Sequence, residues 1–406
     1  MADEVVRLVL ANNYRQTLTI SLSEREGAAS NGAAARLMHM LEANAELDRA
    51  VEYLPDEKEL AARSLRREGL TRPEWAVLLA YAKLDAYNAL LHSQLPDDPY
   101  LEKELIAALP QAISKNFPEA VVQHPLRREI IATHLANAMI NHAGPTILPR
   151  IADEAGGDAV LAAAAFATAW NLFDIGELVR EIDALDGRIR GEAQLRLYAD
   201  LQNALREQMV WLVQNGNLHK ENLSAVLQRF REGIDAAAPV FLQIVPEPYR
   251  AEMAAREERY RAEGVPVELA QRLVRIALLR RAPDIVVIAQ ATGRKLADVA
   301  ATYFALEDWF GINAALAAGA ELTTVDYVER LALDRTLIGI LAALRRATAN
   351  ALLRAGTGEA AAKAWVESAG VQAMRAKAAL AEFAHAGLAL PKLVVAAGYL
   401  SDLTFG

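Results

Sequence analysis

Gly69-Leu70-Thr71-Arg72-Pro73-Glu74-Trp75-Ala76-Val77-Leu78-Leu79-Ala80-Tyr81 reads as the end of one helix and the start of the next. Thr71 is placed to cap the new helix, and Glu74, three residues on, to reach back to the Thr71 amide. Pro73 falls in the first turn, where its missing N–H is harmless. Leu70 and Trp75 occupy the two positions of a hydrophobic staple. Gly69 then closes a preceding helix, Asp56 to Glu68, as its C′ residue. A helix-to-helix junction this explicit sets the expectation for the chain: an all-α array of many helices.

The rest of the sequence follows that lead. Leu197, Leu201, Leu205, Met209 and Leu212 form one apolar stripe, and Leu296, Val299, Tyr303, Leu306 and Phe310 form another, each spaced by three and four residues. Asn31-Gly32 and Asp186-Gly187 lie between helical patterns rather than alternating ones, so neither marks a hairpin. The β-branched run Asp284-Ile285-Val286-Val287-Ile288 follows Pro283 and leads into Gln290 and Ala291, which reads as a buried helix. Ala159 to Phe173 is uncharged and Ala-rich but too short to span a bilayer, hence a core helix. Prolines cluster before Pro149 and again from Pro239 to Pro283, with long Pro-free tracts between and beyond. Those clusters suggest three helical subdomains: an N-terminal one over 1–97, a central long-helix one over 98–240, and a C-terminal one over 241–406.

Composition excludes several kinds of function. With 43 Lys+Arg against 52 Asp+Glu, the net charge of -9 argues against a general nucleic-acid binder. The absence of cysteine removes disulfides, thiolate metal sites and a cysteine nucleophile. Asp3 and Glu4 stand where a signal peptide needs positive charge, so a cytoplasmic location without membrane attachment is expected.

Searches for reactive constellations return little. Gly356-Thr357-Gly358-Glu359-Ala360-Ala361 fits G-x-G-x-x-A, but it follows a helical segment instead of the strand that a dinucleotide cradle needs, and is read as an interhelical turn. The seven histidines show no metal-ligand spacing. Glu177 and Glu181, among Arg180 and Arg188, read as a solvated face, as does the run from Arg256 to Arg261. No catalytic, cofactor-binding or metal residue is therefore assigned. Two sets of polar residues remain. His134, Asn137 and Asn141 share one face of a helix between apolar rows and are expected to form a hydrogen-bonded seam that fixes helix register. Arg72, Arg127 and Arg128 stand near helix starts, where they could contact a small anionic effector.

Five stretches taken in order are similar to one family. They are Asn12-Asn13-Tyr14-Arg15-Gln16; Gly69 to Tyr81; His124-Pro125-Leu126-Arg127-Arg128-Glu129-Ile130-Ile131-Ala132-Thr133; Phe173-Asp174-Ile175 with Ile182-Asp183-Ala184-Leu185-Asp186; and Thr292-Gly293-Arg294 with Val299-Ala300-Ala301-Thr302-Tyr303-Phe304-Ala305. The chain resembles the C-terminal region of the large bacterial NAD-specific glutamate dehydrogenases, most clearly from Val5 to about Ala320; beyond Leu331 the wording is looser. The resemblance implies a parent enzyme that oxidatively deaminates L-glutamate to 2-oxoglutarate and ammonia, with NAD bound by an upstream Rossmann domain. It implies no cofactor in the present stretch, which would begin just beyond that domain with Met1 as an internal start. The partners it implies are the upstream catalytic core of the same chain and further copies in a homo-oligomer. Two other readings stand beside the assembly or regulatory module: an independent helical scaffold or adaptor, and an effector-binding domain.

Overall fold

The computed structural model describes residues 2–354, 356–385 and 389–404; Met1 lies outside them. Every regular element among them is a helix. The chain divides into two compact units, Met1–Gln228 and Arg229–Gly406. Residues 97/98 lie inside the first unit, between 3-10 turns at Leu95–Asp97 and Pro99–Leu101, and residues 240/241 lie inside a helix. The prolines there start turns or, like Pro239, are carried within a helix.

The first unit contains α1 (Ala2–Glu26), α2 (Asn31–Ala43), α3 (Glu57–Leu65), α4 (Arg72–Leu91), α5 (Glu102–Ala108), α6 (Gln111–Asn116) and α7 (Pro118–Val122). It continues through α8 (Arg127–Ala143), α9 (Ile147–Ala155), α10 (Ala159–Leu172), α11 (Ile175–Asp183) and α12 (Gly191–Asn215). At its centre is α10, in which every residue from Ala162 to Ala169 is buried. A helix that is apolar all round has no solvent face to offer, and its small side chains let α4, α8, α9, α11 and α12 pack around it. Asp158 starts it by accepting the Leu161 amide at 2.8 Å. The stripe from Leu197 to Leu212 is buried throughout on α12.

The junction at Thr71 forms as the sequence predicts, with one correction. The Thr71 amide and hydroxyl both donate to Glu74 Oε2, at 2.7 and 2.9 Å, and Arg63 on α3 donates to the same oxygen at 2.8 Å. Leu70 and Trp75 are buried. However, α3 ends at Leu65 and the left-handed turn is made by Arg67, at φ 60, not by Gly69. Gly69 serves a close approach: a Cβ there would lie 2.7 Å from the Gly27 carbonyl carbon and oxygen. Only a residue without a side chain lets these two backbones touch.

The remaining helices are α13 (Leu223–Ile244), within which the division between the units falls, α14 (Glu247–Ala262), α15 (Val267–Leu279), α16 (Ala282–Thr292), α17 (Leu296–Phe310), α18 (Ile312–Glu321), α19 (Tyr327–Arg354), α20 (Gly358–His385) and α21 (Leu390–Asp402). Here α17 is central: Val299, Tyr303, Leu306 and Phe310 are buried against α16, α19 and α20. The β-branched run after Pro283 is helical, as α16. By length and composition α19 could cross a bilayer, yet it buries Ile340, Leu344, Ala347 and Ala351 and packs on α17, α20 and α21. Gly356 and Gly358, both at positive φ, make the turn between α19 and α20.

Candidate functional site

The polar residues of α8 go to different neighbours. His134 Nδ1 lies 2.9 Å from Glu104 Oε2 on α5. Asn137 is half-buried. Asn141 is buried; its backbone carbonyl accepts the Thr19 hydroxyl of α1 at 2.6 Å, and its side-chain Oδ1 is buried with no hydrogen-bond partner. One helix face thus meets α5 near its middle and α1 near its end. Arg127 and Arg128 are brought together on Asp97, and Arg128 also donates to the Leu91 and Ser93 carbonyls at 3.0 and 2.8 Å. Arg72 stands apart from them, donating to Glu24 at 2.9 Å and Ser21 at 3.0 Å on α1. All three guanidinium groups are thereby engaged within the fold.

A partly buried polar cluster that the sequence reading missed begins at the residue after Asn141 on α8, His142. Burial pushes the His142 imidazole down to about 3, with the Arg15 charge acting in the same direction, so the ring is neutral. It stacks on Trp170 with ring centroids 4.5 Å apart. Arg15 pairs with Asp183, which also accepts the Tyr198 hydroxyl; burial above all holds the Tyr198 phenol well above its usual range. Arg206, only 8% exposed, donates to the Ala143 carbonyl at 2.5 Å and reaches Glu26 at 3.4 Å. Burial lowers its pKa, partly offset by Glu26. Gly144 makes room for it: at φ 91, its Cβ would sit 2.3 Å from Arg206 Nη2.

The second unit buries a different set. Arg281 Nε donates to Glu307 Oε1 at 3.0 Å, with side chains 7% and 2% exposed. Asp284 accepts from Arg345 at 2.6 Å and from the Tyr303 hydroxyl at 3.3 Å. Burial raises the Glu307 carboxyl against the pull of Arg281, and it holds Tyr303 well above and Tyr249 at about 12. Asp284 sits in the first turn of α16, where the helix dipole favours a negative charge. These contacts tie α16 to α17 and α19. The sequence carried a faint signal, since Asp284 interrupts an apolar run and Glu307 directly follows Leu306 on the buried stripe.

Both clusters direct charge inward onto partners in the same unit, which suits fixing helix register. Among the described residues no three His, Asp or Glu side chains are grouped to hold a metal ion. The fold and these sites define a class: an all-helical chain whose interior holds hydrogen-bonded and ion-paired polar side chains. Residues 67–402 match the family described as "Glutamate dehydrogenase, C-terminal", and the chain belongs to that family. It is 34% identical over 308 residues to the NAD-specific glutamate dehydrogenase of Pseudomonas aeruginosa, covering 75% of this chain and 19% of the relative. The enzyme of the same name from Mycobacterium tuberculosis is 31% identical over 351 residues, 85% of this chain and 21% of its own length. That from Halomonas elongata is 31% identical over 311 residues, with shares of 75% and 19%. The chain therefore spans about a fifth of the length of these curated relatives.

Proposed function

We propose that the chain is the C-terminal helical module of an NAD-dependent glutamate dehydrogenase, an enzyme that oxidatively deaminates L-glutamate to 2-oxoglutarate and ammonia. In this reading it serves the assembly or regulation of a homo-oligomeric cytoplasmic enzyme, packs on the catalytic part of the same polypeptide, and takes no direct part in hydride transfer. One observation carries it: every regular element described is helical, in a family whose relatives named above are matched over only about a fifth of their length. A nicotinamide cofactor is cradled by a strand, a glycine turn and a helix N-terminus. Gly356–Ala361, the nearest match to that turn, joins two helices instead. The cradle then belongs to the remaining four-fifths of such an enzyme.

The test is an NADH-forming assay with L-glutamate, run on the purified chain at high concentration. No glutamate-dependent NADH is expected; turnover by the chain alone would overturn the reading. Light scattering over a wide concentration range then asks whether the module carries subunit contacts of its own.

A further inference from the structure

The two halves of α1 behave differently. From Arg15 onward the helix is anchored: Arg15 pairs with Asp183, Thr19 with the Asn141 carbonyl, Arg25 with Glu192, and Leu22 is buried. Before Arg15 it leaves large apolar side chains in water. Val5, Val6, Val9 and Leu10 are 44, 56, 54 and 61% exposed, and at about 100° per residue they form one continuous ridge. This stretch is held in place nonetheless, because Glu4 accepts the Gln111 amide at 2.5 Å. Beside the ridge, Val6, Leu10, Ala11 and Tyr14 line an open hollow of about 450 Å³ together with four charged residues, Arg15 and Asp183 among them. A ridge and hollow of this kind mark an interaction surface rather than scattered surface leucines.

The length of the relatives says what covers it. Their matched portion is about a fifth of each, and the family description puts such a portion at the C-terminal end. The dehydrogenase chain that precedes it is long and lies on the N-terminal side, the side of α1, which comes ahead of the family match opening at residue 67. We infer that the ridge Val5, Val6, Val9 and Leu10, with the hollow beside it, is the surface on which the preceding catalytic part of the glutamate dehydrogenase polypeptide docks through an apolar patch of its own. This rests on the module reading above and specifies where the module is held.

The experiment co-expresses the chain with a tagged Pseudomonas aeruginosa glutamate dehydrogenase lacking its matched C-terminal fifth, and measures complex formation by light scattering and titration. The wild-type chain is expected to bind. The double variant Val6→Asp/Leu10→Asp is expected to bind at least tenfold more weakly, with unchanged circular dichroism and melting temperature because both residues are exposed. Val371→Asp, a similarly exposed valine on α20, should bind like wild type. If wild type and the double variant bind equally, the surface assignment fails while the module reading stands. If the wild-type chain does not bind, the module reading itself fails and the surface goes with it. A dimer of the chain alone that Val6→Asp/Leu10→Asp dissociates gives the ridge to a second copy and overturns the proposal.

Discussion

Buried charge is handled in two ways, one shown best by each unit. In the second, Arg281 meets Glu307 and Arg345 meets Asp284, so each of these two cations has a carboxylate within 3.0 Å. In the first, some cations sit where burial outweighs their partners, beside others such as Arg15 and Arg63 that meet a carboxylate. His142 is held neutral, Arg206 has a carbonyl and a carboxylate at 3.4 Å, and Lys83, Lys103 and Arg206 all have pKa values lowered chiefly by burial. The contrast teaches that a helical array can keep its polar interior either by pairing charges or by suppressing them, and the two solutions fail differently. A broken pair strands its partner, whereas a suppressed charge costs most when pH forces it on.

The largest effect is expected where a pair is broken. Arg281→Ala leaves Glu307 buried without its cation and should lower stability by about 3–5 kcal/mol in urea unfolding. Arg281→Met with Glu307→Leu removes both charges and should stay within about 1 kcal/mol of wild type. A loss below about 1 kcal/mol for Arg281→Ala would erase the distinction between the units.

Gly144→Ala comes next. It forces a side chain into the left-handed region and against the Arg206 guanidinium, which is buried and has little room to retreat. A loss of about 2 kcal/mol is expected from the same unfolding measurement; a neutral substitution would mean that Arg206 is not held against the Ala143 carbonyl beside Gly144.

The His142 effect is smaller for each pH unit and accumulates as pH falls. Its folded pKa, about 3, lies below the unfolded 6.5, so only the unfolded chain takes up the proton between those values. Its contribution is complete above pH 6.5 and is lost as pH falls towards 3, at about 1.4 kcal/mol per pH unit at most. His142→Phe keeps a ring against Trp170 and should flatten that part of the stability–pH curve. An unchanged slope would show that other groups set the acid sensitivity.

Lys83 should give the smallest change. Burial alone lowers its ammonium to about 8, so at pH 7 the folded chain carries a poorly hydrated charge. Lys83→Met should stabilise by about 1 kcal/mol at pH 7, after allowance for solvent screening. Wild-type stability rises as pH climbs from 8 to 10.5, because the unfolded chain then holds more protons, so the gap between the two proteins should narrow over that interval. A gap independent of pH would assign the gain to packing.

What could be read from the sequence was local. The Thr71–Glu74 junction needs residues three apart, and the burial of α10 follows from its own unbroken apolar run. The polar partners could not be read in this way. Arg128 at a helix start looks the same whether it awaits an anion or, as here, meets Asp97 31 residues earlier. His134, Asn137 and Asn141 share a helix face in any structure, but only the packing sends His134 to α5 and the Asn141 carbonyl to α1. Gly69 looked like a helix terminator because nothing local reveals Gly27 pressed against it.

By itself, then, the sequence determined an all-helical chain, the start of its clearest helix, its two buried stripes and the family to which it belongs. Helix propensity, capping and periodicity act over one or two turns and are written in adjacent letters. The tertiary structure alone decided which cation meets which carboxylate, which imidazole stays neutral and which helix face remains bare. Those outcomes depend on desolvation and on contacts such as Asp284 with Arg345, 61 residues apart, which exist only once the helices have packed.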